Sequence, residues 1–179
     1  MFRPSITNVK GVQVEELINE LIDRVAGEVG IIIYSLKLNK EFTDDQLALE
    51  LGIEINEIRK ALFALYELGL AEYKRIRDDE TGWMEYYWKI NYDKSIDVLR
   101  RELEKTKKKL EEKIEQESNS IYYICPNMCI KVPYEEAMDY NFSCPKCGAM
   151  LEYLDNTEAL EKLKEEIKRI DDILKSLKR

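Results

Sequence analysis

In 179 residues the chain carries 36 acidic against 28 basic side chains, a net charge of −8, which argues against tight sequence-independent binding to a phosphate backbone and confines any DNA role to a local surface. Histidine is absent, so the usual proton shuttle near neutral pH is missing, and the seven glycines form no phosphate-cradling loop of either common type. The hydrophobic fraction of 45% suffices for packed cores in one or two domains, and no enzyme activity is expected.

Val14, Leu17, Ile18, Leu21, Ile22 and Val25 trace the apolar stripe of an amphipathic helix that ends at Gly27, and a second helix is predicted from about Glu28 to Asn39. Thr43-Asp44-Asp45-Gln46 reads as a capping box opening a short helix through Leu51, terminated by Gly52. Ile55, Ile58, Leu62 and Leu65 mark a fourth helix stopped by Gly69, and helix, short turn with glycine, helix is the helix-turn-helix pattern.

After Gly69 the period falls from about 3.6 to 2. Leu70 to Arg77 and Trp83 to Ile90 read as strands joined by the acidic loop Asp78-Asp79-Glu80-Thr81-Gly82. Helix-turn-helix plus hairpin predicts a winged helix over residues 1–92, with eleven basic and seventeen acidic residues. By alternation Met84, Tyr86, Trp88 and Ile90 share one hairpin face, and Trp83, Tyr87 and Lys89 the other; one of the two is expected to be core.

Residues 93–120 are Lys/Glu-rich with sparse apolar positions, Ile96, Leu99, Leu103, Leu110 and Ile114, and read as a helical linker. In 155–179, Leu160, Leu163, Ile167, Ile170, Leu174 and Leu177 form a heptad seam. These two helices are expected to pair antiparallel, because each has a narrow apolar seam that a lone helix would leave wet, and the segment between them, 121–154, would sit at the tip of a helical hairpin.

That segment holds the only four cysteines, spaced Cys125-Pro126-Asn127-Met128-Cys129 and Cys144-Pro145-Lys146-Cys147-Gly148. Two short cysteine loops either side of a strand-forming stretch suit one tetrahedral structural Zn2+, with Cys125, Cys129, Cys144 and Cys147 as ligands, and predict a zinc ribbon. Paired disulfides are the rival, but the N-terminus shows no charged segment followed by an apolar signal, so nothing points to an oxidising compartment. A redox Cys-x-x-Cys is weaker, since it leaves the other pair unexplained. No apolar run approaches the ~20 residues that cross a bilayer, so a soluble, cytoplasmic protein is expected. The acidic clusters Asp44-Asp45 and Asp78-Asp79-Glu80 are read as a helix N-terminus and a solvated loop rather than cation sites.

The fold class expected is therefore mainly α with a small β content: winged helix, helical linker, zinc ribbon and C-terminal helix. The helix that would enter a major groove offers Glu54, Glu57 and Glu67 against only Arg59 and Lys60, so groove reading is not expected. The hairpin instead combines Arg75, Arg77 and Lys89 with Trp83, Tyr86, Tyr87 and Trp88, a mixture suited to unpaired bases or a protein hot spot.

This order of parts resembles the archaeal transcription factor E (TFE) family, counterpart of the α-subunit of eukaryotic TFIIE. The resemblance spans essentially the whole chain and rests on domain order more than on any single motif. It implies a factor that binds the clamp and stalk of RNA polymerase, joins a promoter complex with TBP and TFB, helps melt the promoter, and stabilises the open complex near the non-template strand. It makes the aromatic wing of Trp83, Tyr86, Tyr87 and Trp88, with Arg75 and Arg77 beside it, the polymerase and single-strand surface. It leaves the heptad helix after the ribbon without a counterpart, where a second TFE subunit could pack. Two other readings compete: a winged-helix repressor dimerising through its coiled coil, and a zinc-ribbon scaffold of another assembly.

Overall fold

The computed structural model describes residues 12–77, 82 and 84–177. Trp83 and the loop residues Asp78 to Thr81, singled out by the sequence, lie outside the described residues. The chain is mainly helical with two small antiparallel sheets, and divides into two compact units, Met1–Glu102 and Leu103–Arg179.

In the first unit, α1 (Val12–Ser35) breaks at Gly27, whose φ of 65° and ψ of −169° lie outside the helical region and within reach of glycine alone. Gly30 then lets the second segment fold closely against the first, since a Cβ there would collide with Cβ of Ala26. This second segment stops at Ser35 rather than at about Asn39: the Lys37 N–H turns back to Tyr34 O and Lys37 itself takes a left-handed φ of 49°.

Thr43 caps α2 (Asp44–Leu51) reciprocally: its Oγ1 accepts from the Gln46 N–H and its own N–H donates to Gln46 Oε1, each at 3.2 Å. α3 (Ile55–Leu68) is capped by Glu54, whose carboxylate accepts the N–H groups of Asn56 and Glu57 at 2.8 and 3.2 Å. It ends at Gly69 in the left-handed region, where Arg101 donates to Leu68 O at 2.5 Å and satisfies a terminal carbonyl.

The hairpin consists of β2 (Ala71–Arg77) and β3 (Met84–Ile90), and β3 lies central because a two-residue strand, β1 (Phe42–Thr43), pairs its other edge. Ile22, Ile33, Leu47, Ile58, Leu62, Leu65, Leu70 and Trp88 are almost wholly buried and form the core. After a single 3₁₀ turn at Tyr92–Lys94, α4 (Ser95–Ser118) begins. Its first turns bury Val98 and Leu99, and the first unit runs to Glu102.

The second unit contains the rest of α4, β4 (Tyr122–Ile124), β5 (Lys131–Pro133), α5 (Tyr134–Asp139), β6 (Glu152–Tyr153) and α6 (Thr157–Ser176). β4 is central, with Tyr123 opposite both Val132 and Tyr153. Lys107 Nζ meets Asp171 Oδ1 at 2.6 Å, and Asn156 Nδ2 donates to Glu117 O at 2.9 Å. Moving back along α4 from 117 to 107 matches moving forward from 156 to 171, so the two helices run antiparallel. Ile170 is buried on this seam, whereas its neighbours Leu163, Ile167 and Leu174 are half-buried.

Candidate metal centre and aromatic hairpin

Each cysteine pair sits in a tight loop closed by backbone hydrogen bonds. The Cys125 N–H donates to Ile130 O at 3.0 Å and the Cys144 N–H to Ala149 O at 2.8 Å, so both loops close over the same five-residue interval although one holds Cys-x3-Cys and the other Cys-x2-Cys. The extra residue is absorbed by Met128, which takes a left-handed φ of 54°; the second loop turns instead at Gly148, φ 75°. Short loops with inward N–H groups leave the sulfurs to converge.

The four sulfurs all lie within 4.8 Å of one another and every thiol is free, so the group could hold one metal ion. Cys125 and Cys144 are buried, Cys129 is half-buried and Cys147 is exposed. Hydrogen bonds from Asn127 and from the Ala149 N–H pull the Cys147 thiol down to about 6, while Cys129 beside it is pushed up to about 12. One thiolate forms readily and its neighbour, hydrogen-bonded to it as a thiol, resists ionising, a resistance that a bound cation removes. Around the sulfurs Val132, Ala137 and Leu151 are buried, with Tyr123, Ile130, Tyr140, Phe142 and Ala149 partly buried against them, a small core for this segment.

Lys131 fixes this segment to the helical pair. Its Nζ contacts both Glu117 oxygens at 2.7 and 2.8 Å and lies 4.2 Å from the centre of the Tyr122 ring. Lys131, with Asn156, holds the Glu117 carboxyl below its ordinary value.

On the hairpin, register sets the faces: Tyr73 opposes Trp88, Arg75 opposes Tyr86 and Arg77 opposes Met84. Trp88 is fully buried, which corrects its place among the surface residues: α3 covers this part of the sheet, with Phe63 edge-on to the indole at a centroid distance of 5.1 Å. Tyr86 is half-buried beside it. Tyr87 is half-buried on the opposite face, where its hydroxyl donates to Glu85 at 2.8 Å and Lys74 lies 5.7 Å from its ring centre. Arg75 and Arg77 are exposed.

The structure adds three rings that sequence reasoning missed. Phe63 and Tyr66, 41% and 45% exposed, stand on α3 beside Tyr73, and their rings run through Tyr73 to Tyr86 at centroid distances of 5.0 to 6.0 Å. Met84, 49% exposed, continues the same sheet face outward. The available signal was two large aromatics off the apolar stripe of an amphipathic helix. The neighbouring Arg59 is itself exposed, but its Nε is held by the buried Asp44 at 2.5 Å, and that contact raises its basicity further.

Comparison with known proteins agrees across the chain. The model of the TFIIE alpha subunit family matches residues 16–119. A transcription factor E of Archaeoglobus fulgidus is 72% identical over 164 residues, covering 92% of this chain and 93% of that protein. Those of Methanocaldococcus jannaschii and Thermococcus kodakarensis are 38% and 40% identical, covering 90% and 85% of this chain and 95% and 83% of theirs. No described helix is long and apolar enough to cross a membrane. The chain belongs to the TFIIE alpha family, as an archaeal transcription factor E.

Proposed function

We propose that this chain is a basal transcription initiation factor that binds the clamp and stalk of RNA polymerase, within a promoter complex also holding TBP and TFB, and promotes melting and stabilises the open complex. The observation that carries this reading is the aromatic face formed by Phe63, Tyr66, Tyr73 and Tyr86, extended by Met84 and flanked by Arg75 and Arg77. Such a surface suits a protein hot spot or an unpaired base of the non-template strand. The helix that would read duplex DNA carries exposed Glu57 and Glu67, while its Arg59 is engaged by Asp44, which disfavours a groove reader. Helix, strand, two helices and a hairpin in this order support reading the first unit as a winged helix.

In the second unit the metal is Zn2+. A tetrahedral ion with Zn–S bonds of about 2.3 Å needs sulfurs about 3.8 Å apart, and four sulfurs already within 4.8 Å of one another reach that with small adjustments. Cys125, Cys129, Cys144 and Cys147 would close all four positions, so the ion supplies folding stability and no reactive site. The segment 121–154 is then a zinc ribbon carried by the helical pair.

The test replaces Tyr66 and Met84 by alanine in the full chain. Melting temperature, polymerase binding and permanganate reactivity of promoter thymines are compared with wild type. A folded double variant should lose stimulation on duplex promoter and less on a template with a pre-opened bubble. Unchanged promoter opening refutes the assignment of this face, and submicromolar binding to duplex operator by the isolated protein would favour a repressor.

A further inference from the structure

Three of the four sulfurs are shielded to some degree by the ribbon, but Cys147 is exposed. Its sulfur lies 3.4 Å from that of Cys125 and receives a side-chain hydrogen bond from the opposite cysteine loop: Asn127 Nδ2 donates to Cys147 Sγ at 3.5 Å. Asn127 also serves Cys129, whose thiol is 3.8 Å from the Asn127 carbonyl oxygen. One residue of the first loop therefore touches a ligand from each pair.

We infer that Asn127 is a positioning residue for the metal, latching Cys147 across the two loops, and that Cys147 is the ligand that leaves first when the ion is released. The inference rests on the zinc reading of the four cysteines. Its physical basis is twofold. Donors outside the coordination sphere hold a thiolate in place and draw off charge that would otherwise favour attack by protons or electrophiles. An exposed ligand is also the one that water, chelators and thiol reagents can reach, so the opening of the site begins there unless something restrains it. Cys125 and Cys144 are buried and their N–H groups are tied to Ile130 and Ala149, so neither is placed to leave early.

The experiment uses the full chain loaded with zinc, as wild type, Asn127→Ala and Asn127→Asp. Zinc transfer to a coloured chelator is timed, and limiting N-ethylmaleimide followed by peptide mass mapping identifies the cysteine modified first. Release should be about tenfold faster in both variants, the low end of what losing an outer-shell partner costs. Cys147 should be the first cysteine alkylated in every form, and faster in the variants. With cobalt in place of zinc, the sulfur-to-metal charge-transfer band should move to lower energy in Asn127→Ala, a change that loosening of the loop elsewhere would not produce. Equal release rates with an unmoved band, or first alkylation at another cysteine, overturn the inference while the zinc site stands. Wild-type protein without zinc overturns both.

Discussion

Stripping the metal should unfold the ribbon and leave the first unit intact. Outside the cysteines the ribbon buries Val132, Ala137 and Leu151, which together contribute about 5 kcal/mol by transfer, with a smaller addition from the partly buried Tyr123, Ile130, Tyr140, Phe142 and Ala149. Structural zinc sites supply about 10–16 kcal/mol of apparent binding free energy near neutral pH, so on the zinc reading the ion is the larger source of order there. The first unit contains no cysteine and keeps its own core, with Ile22, Leu62, Leu65 and Trp88 almost wholly buried. The chain also provides a unit-specific probe: its two tryptophans, Trp83 and Trp88, both belong to Met1–Glu102. After chelation, amide resonances of 121–154 should collapse toward unfolded positions, while the tryptophan emission of the first unit stays at its native wavelength. Lowering the pH should do the same by protonating the thiolates, and zinc with restored pH should reverse it. Ribbon resonances unchanged after complete metal loss, or a tryptophan red shift that tracks metal loss, would refute the reasoning.

Three further outcomes follow from the described contacts. Gly27→Ala should cost about 1–3 kcal/mol, read as a lower melting temperature of the first unit, entirely through its backbone conformation, since an added Cβ would meet nothing within 4 Å. The Glu117 carboxyl is held low mainly by Lys131, so its stabilising contribution is complete above the unfolded carboxylate value and lost as the pH falls through the lower folded one; screening limits it to about 0.5–1 kcal/mol, and Lys131→Ala should raise its titration midpoint in carboxyl-detected NMR. Trp88→Ala should cost about 3–5 kcal/mol in a denaturant titration, whereas Tyr66→Ala, 45% exposed, should shift stability far less.

Local chemistry was legible in the sequence. Cysteine spacing, the Thr43 to Gln46 capping box and the terminating glycines Gly52 and Gly69 all act within a few residues, and each has its expected structural counterpart. What the sequence hid depends on distant partners. β1 is two residues long and exists only because β3 offers it an edge. α5 is six residues, too short for a helical period to show. The start of α4 reads as a charged linker because its apolar positions, Ile96, Val98 and Leu99, are few, and Val98 and Leu99 are buried as part of the first unit. Cysteine identity likewise did not reveal that Cys147 alone is exposed, nor that Asn127 reaches it from the other loop.

The hairpin shows the same limit in its sharpest form. Alternation assigned Met84, Tyr86, Trp88 and Ile90 to one face, but a period of two cannot say how far along the strand that face is covered. The cover is α3, and exposure grows as the strands leave it: Ile90 and Trp88 are buried, Tyr86 is half-buried and Met84 is 49% exposed. One apolar stripe thus begins as core and ends as surface. The buried part anchors the hairpin, so the exposed part is held on a rigid base, and its rings lose little freedom when a partner covers them. An aromatic surface of this kind need not be built separately from the fold; here it is the same stripe carried past the edge of its own helix, with Phe63 and Tyr66 placed where the cover stops.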